Sequence, residues 1–116
     1  MPLCRIVTSA SASEKSRAAF LTDLSSFIAE ALRKPESYVM TSLVTDAAMT
    51  FAGTTEPACF IELKSIGTFT PEQTASLSAA LCARIEQSLG VPPARTYIEF
   101  TNATPHLWAH ASETFA

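Results

Sequence analysis

Charged residues are scarce in this sequence: they make up 16% of the 116 residues, against 47% that are hydrophobic. The eight basic residues are scattered and the net charge is −3, so no basic stripe could follow a phosphate backbone. We therefore expect no nucleic acid partner. Such an apolar chain should not be disordered, and we expect part of its apolar surface to be covered, first of all by another copy of the chain.

Cysteines and long hydrophobic runs are also few. Cys4, Cys59 and Cys82 are odd in number and form no C-x-x-C motif, which argues against a disulfide framework and suits a reducing cytoplasm. No window approaches the roughly 20 apolar residues that a membrane-spanning helix needs. The opening "MPLCRIV" also lacks the basic and apolar regions of a signal peptide. We expect a cytoplasmic protein with no membrane partner, which, if secreted, leaves by a route without a signal peptide.

Two amphipathic helices are predicted. The first follows the capping box Ser11-x-x-Glu14, and its apolar residues recur at helical spacing: Phe20, Leu21, Leu24, Phe27, Ile28, Ala31 and Leu32. The second begins after Thr70, with Gln73 completing another capping box, and ends at Gly90. Its apolar stripe consists of Leu77, Leu81, Ile85 and Leu89.

Each predicted helix lies between two β-rich runs, "LCRIVTS" and "YVMTSLV" for the first, "ACFIELKSI" and "TYIEF" for the second. Leu3 and Phe60, like Pro35 and Pro92, are 57 positions apart. We predict one domain, residues 1–116, with an α+β fold: a duplicated βαβ unit forming a four-stranded sheet with two helices on one face. We expect the first and third strands to be parallel. The bare face of the sheet should pack on another subunit.

The proline behind the initiator methionine suggests chemistry. A small second residue permits removal of Met1, which leaves Pro2 with a free secondary amine. An α-amino group titrates at about 7.7–8.0, and apolar surroundings lower its pKa because the charged form is poorly solvated. The amine is then a candidate base near pH 7, unless the proline merely caps an edge strand. In the predicted sheet Pro2 approaches Ser65, Ile66 and Gly67, whose backbone N–H groups could hold an oxyanion.

Two further features each have a structural and a functional interpretation. Lys34 ends the first helix, where it either offsets the helix dipole or binds a substrate carboxylate. The motif His106-x-Trp108-x-His110 holds two metal-ligand side chains, but no further ligand is spaced nearby, so we expect packing or pocket lining and no metal. The sequence has no glycine-rich phosphate loop and no Ser/His/Asp spacing, and we expect no cofactor.

Several stretches together resemble the macrophage migration inhibitory factor family of the tautomerase superfamily: "MPLC", "RKPESYVM", "MTFAGTTEP", "ELKSIG", "YIEF" and the closing "ETFA". The resemblance covers essentially the whole chain. It implies a homotrimer in which three four-stranded sheets surround a central channel. It also implies isomerase activity, the keto–enol tautomerisation of phenylpyruvate-like aromatic 2-keto acids or dopachrome-like compounds, with the N-terminal proline as base.

The resemblance also implies roles for individual residues. Pro2 matches the catalytic proline and Lys34 the substrate-binding lysine. The remaining matches line the site: the backbone of Ser65 and Ile66, the wall residues Tyr38, Trp108 and Phe115, and Tyr97, which the adjacent subunit supplies.

Three departures from the family pattern bear on activity. Glu99 stands where the mammalian cytokine has asparagine, which could repel acidic substrates or raise the pKa of the amine. His110 replaces the usual tail tryptophan, so the pocket wall is altered. Cys59 has no second thiol to form C-x-x-C, so no oxidoreductase activity is expected. Retention of Met1 would also abolish the basic amine.

Three functions remain open from the sequence. The first is a tautomerase, favoured by the amine together with Lys34 and Tyr97. The second is a cytokine-like signalling protein that binds a cell-surface receptor and keeps weak or vestigial activity. The third is a non-catalytic, ferredoxin-like ligand-binding domain.

Overall fold

The computed structural model describes residues 1–116. Two long helices and four main strands are followed by a short C-terminal hairpin. Their order is β1 (Leu3–Thr8), α1 (Glu14–Leu32), β2 (Met40–Val44), β3 (Cys59–Ile66), α2 (Pro71–Leu89), β4 (Thr96–Ala103), β5 (Ala109–His110) and β6 (Glu113–Thr114). Single 3₁₀ turns precede β2, β4 and β5, at Glu36–Tyr38, Pro93–Arg95 and Pro105–Leu107.

The four main strands form one mixed sheet in the order β2-β1-β3-β4. β1 is parallel to β2 and β3 is parallel to β4, so each half of the chain is a βαβ unit, as predicted. The predicted parallel pairing of β1 with β3 is wrong: the two strands are antiparallel, with Leu3 opposite Lys64 and Thr8 opposite Cys59. The two halves therefore meet in opposite directions, which brings the start of β1 beside the end of β3.

Both helices pack on the same face of this sheet, which confirms the predicted two-layer fold. Every second residue of β3 is buried against them, beginning at Cys59 and ending at Ser65. One cluster contains the buried side chains of both layers, among them Ile6, Leu24, Ile28, Ile61, Leu63, Leu81 and Ile85. Truncating such a residue to alanine typically costs about 2–5 kcal/mol of stability. Neither helix is long and apolar enough to cross a membrane.

The helix ends follow local capping chemistry, with one correction. At α2 the predicted capping box is present: the Gln73 N–H donates to the Thr70 hydroxyl, and the Gln73 side chain accepts from the Thr70 N–H. The predicted box at Ser11 is wrong, because Ser13 caps α1 by accepting from the backbone N–H of Ser16. Ser11 lies two residues too early, and its hydroxyl donates instead to the carboxylate of Asp46.

The sheet face that points away from the helices is uncovered in the single chain. Its middle row is charged: Arg5 binds Glu62 at 3.0 Å, Lys64 lies 3.8 Å from the same carboxylate, and Glu99 is the β4 partner of Glu62. One end of the face is instead apolar, a row formed by Val44, Val7, Phe60 and Tyr97. The uncovered face thus combines an apolar row with charged groups.

Candidate active site

Pro2 lies at the start of an inner strand and is almost fully buried, with less than 2% of its surface exposed. Its carbonyl oxygen accepts a hydrogen bond of 3.0 Å from the N–H of Met40, which extends the β1–β2 ladder to the chain terminus. Because β1 is flanked by β2 and β3, the interpretation of Pro2 as the cap of an edge strand is wrong. The sheet holds this terminus on both sides, so its position is fixed.

A cavity of about 470 Å³ opens at this terminus, and we call it the Pro2 cavity. It brings together four of the predicted site residues: Pro2, Tyr38, Trp108 and Phe115. His110 also contributes to the wall, whereas His106 does not. Most of the lining is apolar, which is the environment that disfavours a charged amine.

Aromatic rings from two distant segments form the wall of the Pro2 cavity. Tyr38 meets His110 and Phe115 edge-on, at centroid distances of 5.4 and 6.2 Å, and the rings of His110 and Phe115 are almost parallel. The tail folds back because β5 and β6 form a hairpin, after which the Phe115 N–H donates to the Trp108 carbonyl at 3.0 Å. Edge-on and offset arrangements are those that aromatic pairs prefer.

Lys34 follows the end of α1, where Arg33 adopts a left-handed conformation (φ 54°) and turns the chain out of the helix. The Lys34 ammonium donates to the carbonyl oxygen of Ile66 at 3.3 Å, across to the end of β3. Lys34, Ser65 and Ile66 line a second cavity of about 200 Å³, in which Ser65 is only 5% exposed. The structure therefore groups the predicted site residues in two cavities.

An electrostatic effect links Lys34 to the chain terminus. The pKa of the terminal amine, which is on Met1 in the unprocessed chain, is lowered first by desolvation and second by the positive charge of Lys34. Both causes favour the neutral amine. A neutral amine is the form that can accept a proton.

One expectation about the site needs correction, and one predicted residue, Tyr97, lines neither cavity in its own chain. The N–H of Gly67 is not free for an oxyanion, because it donates to the Ala103 carbonyl at 3.3 Å. Tyr97, in turn, lies far from the Pro2 cavity of its own chain. It is four residues before Thr101, and Thr101 is in the row of Lys64 and Leu3, so the separation along the strand is roughly 13 Å.

Comparisons with known proteins establish the family of the chain. The family model described as "Macrophage migration inhibitory factor (MIF)" matches residues 1–116. The chain belongs to the macrophage migration inhibitory factor family. The MIF family is part of the tautomerase superfamily, so membership supports an isomerase in general terms.

Three relatives illustrate the similarity of this MIF-family chain to known members. A macrophage migration inhibitory factor homolog of Trichinella spiralis is 40% identical over 83 residues, covering 72% of this chain and 73% of the relative. The crystal structure of a homologue from Prochlorococcus marinus shares 44% identity with a TM-score of 0.93, covering 98% of this chain and 99% of that one. The protein from Toxoplasma gondii shares 39% identity with a TM-score of 0.91, covering 97% and 99%.

Some residues that line the Pro2 cavity of this MIF-family chain were not predicted from the sequence. Ser37, Val39 and Met40 line the Pro2 cavity beside Tyr38. Their only sequence signal is their place after Pro35, where the 3₁₀ turn Glu36–Tyr38 leads the chain into β2. That turn directs consecutive residues towards the terminus of β1.

The thiols of this MIF-family chain are apart from the Pro2 cavity. Two causes raise the pKa of Cys4 and of Cys59 to about 12 each. The larger is burial, and the smaller is the negative charge that a neighbouring cysteine would carry. All three cysteines are free. No group of three or more His, Cys, Asp or Glu side chains is arranged to hold a metal ion.

Proposed function

We propose that the processed chain is a keto–enol tautomerase whose general base is the amine of Pro2. The observation that carries the proposal is the placement of the terminus: Pro2 is buried in an inner strand, in a cavity with an aromatic wall, near the charge of Lys34. Removal of Met1 would move the free amine one residue inward, to this buried position. Desolvation should then be stronger than at Met1 and keep the amine neutral near pH 7.

The proposed reaction moves one proton and needs no cofactor. The neutral Pro2 amine takes the proton from the carbon next to the keto group of an aromatic 2-keto acid such as phenylpyruvate. The negative charge then grows on the keto oxygen, and the resulting prolinium returns the proton there to give the enol. Lys34 binds the substrate carboxylate, and the aromatic wall formed by Tyr38, Trp108 and Phe115 accepts the ring of the substrate.

We also propose that the active form is a homotrimer in which Tyr97 lines the site of the adjacent subunit. Two features support this. Tyr97 is 65% exposed and does not reach the Pro2 cavity of its own chain. The uncovered sheet face also carries an apolar row, which a neighbouring subunit would shield from water.

The test of the base is a change at the terminus that leaves residues 2–116 unchanged. An alanine inserted between Met1 and Pro2 turns the Pro2 nitrogen into an amide, so phenylpyruvate tautomerisation should fall by most of the 10²–10⁴-fold that a general base contributes. Pro2→Gly keeps a terminal amine but makes it primary and mobile, and should lose part of the rate. Mass spectrometry of each N-terminus is the control for processing. Wild-type activity in the folded insertion variant would refute the proposal.

A further inference from the structure

Arg95 anchors an exposed segment of the chain through its side chain. This segment, residues 51–57, leads into β3 and belongs to no strand of the sheet. Its only β-type pairing is an isolated bridge between Phe51 and Thr54. The Arg95 guanidinium donates hydrogen bonds to four backbone carbonyl oxygens of this segment. Nε donates to Pro57 at 2.8 Å, Nη1 to Phe51 at 3.1 Å, and Nη2 to both Glu56 at 2.9 Å and Thr54 at 3.4 Å. Arginine alone among side chains offers five donors in one rigid plane, so a single residue can fix the whole segment.

The turn inside segment 51–57 is tight. Phe51 and Thr54 exchange two backbone hydrogen bonds, of 3.0 and 3.1 Å. The two residues between them have positive φ, 53° at Ala52 and 77° at Gly53. Alanine rarely adopts such a conformation, so contacts outside the turn are needed to hold it, and Arg95 provides them.

Phe51 connects this anchor to Tyr97. The Arg95 guanidinium carbon lies 5.3 Å from the centroid of the Phe51 ring, and the Phe51 and Tyr97 ring centroids are 5.0 Å apart. Arg95 ends the 3₁₀ turn before β4 and Tyr97 is the second residue of β4, and both side chains contact the ring of Phe51. The ring of Tyr97 is therefore supported on one side while most of its surface stays open.

We propose that Arg95 is a positioning residue, which fixes the orientation of Tyr97 through segment 51–57 and Phe51. The proposal rests on the proposed function, since the fixed ring acts in the site of the adjacent subunit. An exposed tyrosine with free χ angles would lose rotational freedom on entering that site, and a ring held in advance avoids this loss. Small displacements of positioning groups can cost up to 10²-fold in rate, so the support of the ring should affect catalysis.

A spectroscopic test measures the orientation of Tyr97 without relying on activity. The chain has two tyrosines, so a sample with ¹³C-labelled tyrosine gives two sets of ring signals, which Tyr97→Phe assigns. Arg95→Lys keeps the positive charge but cannot span four carbonyls. We expect it to move the Tyr97 signals towards their random-coil positions and to leave those of Tyr38 in place. Unchanged Tyr97 signals would overturn the proposal.

A kinetic cycle separates positioning from a merely structural role. In the wild-type background Arg95→Lys should lower kcat/KM for phenylpyruvate about tenfold, whereas in a Tyr97→Ala background it should change little, because the ring it positions is absent. Equal losses in both backgrounds would show a general structural effect and refute the proposal. Arg84→Lys is the matched control, since Arg84 also lies over a phenylalanine ring, that of Phe27, but between the helices.

The same experiments also distinguish misfolding of the Arg95→Lys variant from failure of the proposed function. If Arg95→Lys does not fold, Phe51→Leu removes the ring that supports Tyr97 while keeping an apolar side chain, and the same shift of the Tyr97 signals is expected. If the wild-type trimer has no tautomerase activity, the proposed function is wrong, and so is the proposed effect of Arg95 on the rate. The spectra would still decide separately whether Arg95 fixes the ring of Tyr97.

Discussion

The ammonium of Lys34 and the carbonyl oxygen of Ile66 lie 3.3 Å apart, which joins the end of α1 to the end of β3. The contact holds the positive charge of Lys34 near the chain terminus, where it lowers the pKa of the terminal amine. Lys34 thus acts on the amine of Met1 in the unprocessed chain, and we expect it to act in the same way on the amine of Pro2, the proposed base. Two of the predictions below depend on this relationship.

The rate should follow the deprotonation of the terminal amine. Only the neutral amine accepts a proton, so kcat/KM should rise with pH through the pKa of the amine and level off above it. Desolvation and then Lys34 lower the pKa of the Met1 amine in the unprocessed chain, and we expect both causes to act on the amine of Pro2 as well. The rise should therefore be centred below the usual α-amino range of about 7.7–8.0. A pH profile of phenylpyruvate tautomerisation measures this, and a midpoint within or above that range would contradict it.

Lys34→Ala should change both binding and the pH profile. Loss of the ammonium weakens binding of the substrate carboxylate, so KM should rise more than kcat falls if the contact is equal in ground and transition states. The midpoint of the pH profile should also move to higher pH, because one cause of the lowered pKa is removed. Lys15→Ala, at an exposed position on α1, is the control. An unshifted midpoint would show that Lys34 does not act on the base.

Light scattering at micromolar concentration should give about three times the chain mass of 12.4 kDa. The apolar row on the uncovered sheet face and the exposed Tyr97 are the physical reasons for association. Tyr97→Ala leaves Val44, Val7 and Phe60 of the apolar row in place, so it is expected to keep the trimer while lowering activity. A clean monomer for the wild-type chain would rule out a site shared between subunits.

Thiol oxidoreductase activity should be absent. Ala58 and Ile61, which flank the single Cys59, stand where the paired thiols of a C-x-x-C motif would be required. Burial also raises the pKa of Cys59 to about 12, so almost no thiolate forms at neutral pH. Insulin reduction should stay at background, and Cys59 should react slowly with iodoacetamide. Turnover that disappears in Cys59→Ser would show that this expectation is mistaken.

The main elements of the fold could be predicted because their signals are local. The stripe of Leu77, Leu81 and Ile85 is one face of a helix, and the Thr70 capping box marks where it begins. The direction of β1 against β3 has no such signal, since it depends on how the two halves of the chain meet. The cap at Ser13 was missed because Ser11 fits the same spacing rule.

The parts of the site that were not predicted depend on long-range or unusual backbone contacts. The β5–β6 hairpin turns at Ala111 and Ser112, which have φ of 50° and 73°, whereas glycine or asparagine is the usual signal for such a turn. The donation from Gly67 to Ala103 likewise follows from the β3–β4 register, which no single segment encodes. Tyr38, Trp108 and Phe115 were predicted from family resemblance, and the structure brings them together around one cavity.

The inner position of β1 also sets an order of events during synthesis. The first strand to leave the ribosome is flanked by β2 and β3, so it cannot be fully paired until the chain has been made as far as Lys64. Such non-local pairing is slow compared with helix formation. Once it is complete, Pro2 is buried and its carbonyl is bonded to Met40, so an aminopeptidase would have to unpair this end of the chain to reach the Met1–Pro2 bond. We therefore expect removal of Met1, which the proposed activity requires, to precede this pairing while the nascent chain is still extended.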